Sequence, residues 1–166
     1  MSQLVLDAPA QSLTVKATAA VDRLQAFLVA YSLHALRISL GLVFLGFGVI
    51  KFVPGLSPAE AIASATIDRL TLGLVSGHNA VLLTAVTETV IGLTLVTGRF
   101  LRVGVLVLGG ALTGITAPLA LFTAELFPHG PSLMGQYVLK DIVLAAAALV
   151  VAAYALGARL RDGSDA

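Results

Sequence analysis

Five ionisable residues, Arg37, Lys51, Glu88, Lys140 and Asp141, fall inside or at the edges of apolar stretches long enough to cross a bilayer. A charge at the centre of a membrane helix costs at least about 2.5 kcal/mol, so each of these residues implies a partner, and by default a functional site. Ammonium groups can donate hydrogen bonds, and a carboxylate can hold or pass a proton. Glu88 is the most expensive of the five, because a short side chain near mid-span reaches neither interface. It must be protonated or paired with a cation from another helix. Lys51 and Lys140 lie within about a turn of the outer boundary, and a lysine stem can reach towards Glu88. The expected catalytic cluster is therefore Glu88, Lys51, Lys140 and Asp141 in the outer half of a helical bundle.

Four apolar segments must position these groups. Span 1 is expected over 36–53, span 2 over 80–97, span 3 over 103–122 and span 4 over 133–156. Long Leu, Val, Ala and Gly blocks without alternation exclude a β-barrel. The fold expected is all-α, an integral membrane four-helix bundle. With 58% hydrophobic and 11% charged residues the chain is far from a soluble globular composition, and the mean hydropathy of +0.99 agrees. Residues 1–35 are too polar to span, yet Leu13, Ala17, Val21, Leu24, Leu28 and Tyr31 recur at helical spacing. They predict an amphipathic helix on the membrane surface or continuous with span 1. Within the long loop of 54–79, Ser57-Pro58-Ala59-Glu60 has the form of a capping box. It predicts a short helix with Ala59, Ile62, Ala63, Thr66, Ile67 and Leu70 on its apolar face, either an interfacial anchor or a lid.

Lys16, Arg23, Arg37, Arg99, Arg102, Arg159 and Arg161 fall on one side of four spans, against Lys51, Arg69 and Lys140 on the other. The positive-inside rule then places both termini, including the tail 158–166, in the cytoplasm. A bacterial inner membrane is the expected location. No cleavable signal is read at the N-terminus, so span 1 is expected to act as its own insertion signal.

Each candidate residue has a structural alternative. Arg37, Gly41, Phe44, Gly48 and Lys51 share a stripe of span 1, and its glycines admit either a neighbouring helix or a flat ligand. Lys51 can snorkel to headgroups, Lys140 with Asp141 can mark a helix end, and Glu88 can serve a purely structural ion pair. Gly110 and Gly114 have the GxxxG spacing of close helix contact, Pro118 can bend span 3, and Thr113 or Thr116 can satisfy the carbonyl freed there. Span 3 reads as scaffold.

Several chemistries are excluded or disfavoured. No cysteine is present, so this chain makes no disulfide, thiol relay or cysteine-ligated cluster. His34, His78 and His129 lack metal-ligand spacing, and no metal site is expected. A net charge of +1 without a basic run gives no nucleic-acid partner.

The Gly-Val-Ile-Lys-Phe run at 48–52, mid-span Glu88 followed by Gly92, and the Gly-Gln-Tyr-Val-Leu-Lys-Asp run at 135–141 together resemble the DoxX-like membrane protein family. Within it the chain looks like the YkgB-type branch associated with reactive chlorine resistance. The resemblance implies a four-helix membrane protein tied to quinone-linked sulfur oxidation in some members and to oxidative-stress defence in others. It also implies a redox partner subunit, alongside membrane lipid; a homo-oligomer is compatible with it. Because cysteine is absent, sulfur carriage on the chain's own thiol does not transfer.

The leading expectation is a membrane subunit of a quinone-linked oxidoreductase. Lys51 and Lys140 would donate to quinone oxygens and Glu88 would relay protons, while Phe44, Phe47 or Phe52 would wall the slot. Phe44, Gly48, Phe52 and Tyr137 are the expected cofactor-binding residues. The alternatives are a small anion or proton transporter, for which Arg37 at the far end of the Lys51 stripe speaks, and a non-catalytic assembly subunit.

Overall fold

The computed structural model describes the backbone over residues 7–159 and side chains from Val15 onward. The side chain of Leu13, the residue Arg161 and most of the tail 158–166 lie outside the described residues. Eight helices follow in order: α1 (Asp7–Ile50), α2 (Glu60–Leu70), α3 (Gly77–Thr97), α4 (Leu101–Thr116), α5 (Pro118–Leu121), α6 (Thr123–Leu126), α7 (Leu133–Leu139) and α8 (Asp141–Ala155). No strand occurs among the described residues. Four stretches are long and apolar enough to cross a membrane: Val15–Ile50, Gly77–Thr97, Leu101–Leu121 and Leu133–Ala155. The protein is an all-helical membrane bundle.

The chain divides into two compact units, Leu36–Ala158 and a second built from the N-terminal 35 residues with the C-terminal tail. In the N-terminal unit, Val21, Leu24, Leu28 and Tyr31 are exposed, and the Phe27 and Tyr31 rings meet at 4.8 Å. The first apolar helix is thus longer than the expected 36–53, because nothing between Asp7 and Ile50 breaks the backbone ladder. It ends where the turn towards Pro54 begins, a residue with no N–H to continue it.

Inside the bundle, α1 and α3 run antiparallel along a glycine seam. A Cβ on Gly48 would sit 2.7 Å from the Thr89 nitrogen, and one on Gly92 would sit 2.5 Å from the Leu45 nitrogen. Gly41 lies equally close to the Val96 backbone, at 2.9 Å. Glycine from both helices therefore lets the two backbones touch, and the pairs Gly41 with Val96, Leu45 with Gly92 and Gly48 with Thr89 define one register. Extended by a turn, that register brings Lys51 beside Glu88. Leu40, Phe44, Ile91, Leu95, Leu108, Ala148 and Val151 fill the adjoining core.

The far end of this seam is closed by Arg37, whose guanidinium donates to the Leu95 carbonyl. That oxygen belongs to the last turn of α3, where carbonyls lack helical partners and a cation is favoured. Gly98 ends the helix in the left-handed region at φ 70°, and a Cβ there would approach Arg37 Nη1 to 2.7 Å. Arg37→Met is expected to lower unfolding free energy by about 1–2 kcal/mol through loss of this cap. Reversible unfolding in detergent, followed by circular dichroism, measures it.

The third and fourth spans are each interrupted. Pro118 separates α4 from α5, and the Thr116 hydroxyl donates to the Leu112 carbonyl at 2.7 Å instead of to a carbonyl freed by the proline. Ser132 caps α7, accepting from the Gly135 N–H at 3.0 Å, and Lys140 separates α7 from α8.

α2 packs on α3, α4 and α5 across one end of the bundle. The expected capping box does not form. The helix starts at Glu60, whose carboxylate accepts from the Gly55 N–H at 2.7 Å, while the buried Ser57 hydroxyl has no partner among the described residues. Gly55 has φ 76°, so the loop turns back towards the helix start and supplies the donor that the serine N–H was expected to supply.

Candidate functional site

Beneath α2 the bundle holds a partly open cavity of about 610 Å³. Its roof is the apolar face of α2, with Ala59, Ile62, Ala63, Thr66, Ile67 and Leu70 all lining it. This placement favours a lid over a simple interfacial anchor. Phe44 and Phe47 from α1 and Lys51 just beyond its end form one wall, Thr84 and Glu88 from α3 the next, and Gly110, Gly114 and Pro118 a third. Tyr137, Asp141 and Leu144 complete the ring.

Lys51 Nζ donates to Glu88 Oε2 at 2.6 Å and to the Phe47 carbonyl at 3.3 Å. Lys51 is 3% exposed and Glu88 8%, so the pair is shielded from solvent on nearly every side. Burying two charges carries a desolvation cost of several kcal/mol per ion, which their mutual attraction offsets only when the geometry is close, as it is here. Glu88 therefore solves the problem posed by its position through pairing, and Lys51 does not snorkel.

An aromatic corner stands beside the pair. The Phe47 and Tyr137 rings meet edge to face at 5.7 Å and 83°, and Lys51 Nζ lies 5.7 Å from the Phe47 centroid. Lys140 Nζ packs over Tyr137 at 3.3 Å and lies 4.8 Å from Phe47. Such cation–π contacts stabilise by about 0.5–2 kcal/mol each and hold both rings in place. Thr66 and Thr84 hydroxyls donate to the Ile62 and Ala80 carbonyls of their own helices, at 2.6 and 2.9 Å. Their protons are thus committed before any ligand arrives.

Of the eight expected site residues, Glu88, Lys51, Asp141, Phe44 and Tyr137 line the cavity. Three do not. Lys140 is exposed at the junction of α7 and α8 and stays outside the Tyr137 ring, so it supports the wall without facing the ligand space. Gly48 is consumed by the α1–α3 seam, where the Thr89 backbone occupies the space a ligand would need. Phe52 lies in the turn beyond α1 and is 44% exposed.

Two contributions were not expected. Gly110 and Gly114 have no atom within 4 Å of a would-be Cβ, so they make no close helix contact and instead leave room for the cavity. Their four-residue spacing on the same helix face as Val107, Ala111 and Pro118 was the available signal. On the other side of α3, the buried Thr89 hydroxyl has no hydrogen-bond partner among the described residues. Among the described residues no three histidine, aspartate or glutamate side chains gather as metal ligands.

No family model, curated protein or solved structure matches this chain.

Proposed function

We propose that this protein is a DoxX-like membrane subunit that binds a quinone in the cavity beneath α2, as part of a quinone-linked oxidoreductase or oxidative-stress defence. One observation carries the reading: a mostly apolar cavity of about 610 Å³ that ends on a buried ion pair. Ligand sites of this size combine apolar walls with a few placed polar groups. A quinone has the matching form, a flat apolar ring with a polar oxygen at each end. When bound it accepts two electrons and two protons.

The residues present fit that group. An ammonium has three N–H donors, and Lys51 commits one to Glu88 and one to the Phe47 carbonyl, which leaves one to orient a carbonyl oxygen. Glu88 is the group able to hold a proton beside it. Phe44, Phe47 and Tyr137 would wall the ring, and the apolar face of α2 covers one side of the cavity. Electrons would come from a redox partner subunit or its substrate. By the distribution of arginine and lysine, the α2 end faces outward from a bacterial inner membrane and both termini face the cytoplasm.

Arg37, on which a transport path from the opposite side rested, is engaged by the Leu95 carbonyl, which favours the quinone reading over the transporter. The test is binding. A short-chain ubiquinone at a hundred times its Kd is expected to raise the unfolding free energy of the detergent-solubilised protein by about 2.7 kcal/mol. Quinone should also be extractable from protein purified out of its native membrane. No thermal shift together with no extracted quinone would overturn the proposal.

A further inference from the structure

The apolar roof of the cavity is fastened down along its length. At the start of α2 the Glu60 carboxylate accepts from the Gly55 N–H at 2.7 Å, and further along the Ser64 hydroxyl donates to the Gly77 carbonyl at 3.2 Å. Near its end, Arg69 donates to the Leu121 carbonyl at 3.0 Å and lies 4.4 Å from the centre of the Phe122 ring. The cavity opens at its side instead. Leu70, Leu83, Gly110 and Thr113 both line it and are exposed, whereas among the described residues the rest of its lining is buried or half-buried.

The glycines of α4 explain the gap. Close to the turn that joins α3 to α4, Gly104 sits against the Thr94 side chain with no room for a Cβ, so the two helices touch there. Towards α2, Gly110 and Gly114 have no atom within 4 Å of a would-be Cβ, and the helices leave space between them. Because α3 and α4 run antiparallel, counting on from the Gly104–Thr94 contact brings Gly110 level with Glu88. Leu83, Val86 and Val90 form an exposed stripe on α3, and Val103, Leu106, Gly110 and Thr113 form one on α4. Both stripes belong to stretches apolar enough to span a membrane, so the opening between them faces hydrocarbon.

We propose that the gap between the α2-side halves of α3 and α4, framed by Leu83, Gly110 and Thr113, is a lateral portal. Through it a ligand with an apolar tail enters from the bilayer, and its tail stays in the lipid once the head is bound. This inference rests on the quinone reading and adds to it the route and the ligand class, a lipid-dissolved, tailed quinone. The cavity has the volume of a site for a drug-sized ligand, so a longer tail must run out through an opening, and here the opening leads to a medium that receives it. Gly110 is then the residue that sets specificity, because a side chain there stands in the path of the tail.

The experiment measures binding of decylubiquinone, which carries an alkyl tail, and of ubiquinone-0, which has the same ring without one. The full-length protein is held in phosphatidylcholine nanodiscs and titrated calorimetrically. Gly110→Phe is expected to weaken decylubiquinone binding at least about tenfold while ubiquinone-0 stays within about twofold of its wild-type affinity. Gly109→Phe is the control, since Gly109 is exposed, has no atom within 4 Å of a would-be Cβ and does not line the cavity. It should change neither affinity. Equal loss of both ligands in Gly110→Phe, or loss of neither, overturns the portal and leaves the quinone reading intact. Wild type that binds ubiquinone-0 but not decylubiquinone does the same. Wild type that binds neither removes both readings. Should Gly110→Phe fail to fold, Thr113→Phe on the same rim is read by the same comparison.

Discussion

Lys51→Met, with Glu88 left in place, is expected to destabilise the bundle by about 3–5 kcal/mol, because it strands a carboxylate in a site built for an ion pair. The Nζ–Oε2 distance is 2.6 Å and both residues are buried. Glu88 would have to take up a proton or draw water into the cavity, and either change costs free energy in an apolar surround. Replacing both residues, as Lys51→Met with Glu88→Leu, is expected to restore stability to near the wild-type value, since apolar side chains of similar volume fill the space without desolvating a charge. Reversible unfolding in detergent reads both effects. The double variant also separates structure from chemistry. A stable double variant that no longer binds ubiquinone assigns the pair a ligand-binding role. One that still binds it with wild-type affinity makes the pair structural, and supports the assembly-subunit alternative.

Gly92→Ala should be nearly as damaging, for a steric reason. The added methyl would sit 2.5 Å from the Leu45 nitrogen and 2.7 Å from its Cα, and backbone atoms in mid-helix cannot rotate away. Relief requires α1 and α3 to part, an overpacking cost of about 1–3 kcal/mol. The same parting lengthens the reach from Lys51 to Glu88, so loss of quinone binding is expected to accompany loss of stability. Gly46→Ala is the control. No atom lies within 4 Å of a Cβ there, and removing a helical glycine is expected to leave stability unchanged or raise it by up to about 1 kcal/mol. Equal effects of the two substitutions would show that the seam does not set the register.

Much of the site was legible because the physics that marks it is local. A carboxylate twelve residues into an apolar helix, or a lysine at the last turn of one, is costly wherever the helix goes, so Glu88 and Lys51 stand out before any packing is known. The α2 face was legible for the same reason, since the 3.6-residue period assigns Ala59, Ile62, Ala63, Thr66, Ile67 and Leu70 to one side without a partner. The start of α2 was not, because Ser57 and the Gly55 N–H compete for the same helix end and the outcome depends on how the loop folds back.

Sequence by itself determined the helical class, the apolar stretches and the need of each intramembrane charge for a partner. Those follow from hydrophobicity, periodicity and the cost of an unpaired charge, all properties of a single segment. Only the tertiary structure decided which partner each charge took. Lys51 rather than Lys140 meets Glu88 because Gly41, Gly48 and Gly92 fix the register of α1 against α3, while Lys140 is held outside by the Phe47 and Tyr137 rings. Likewise, Gly110 and Gly114 could serve contact or emptiness equally well. Which of the two a missing side chain produces depends on what stands opposite it, and that is settled only when four helices pack together.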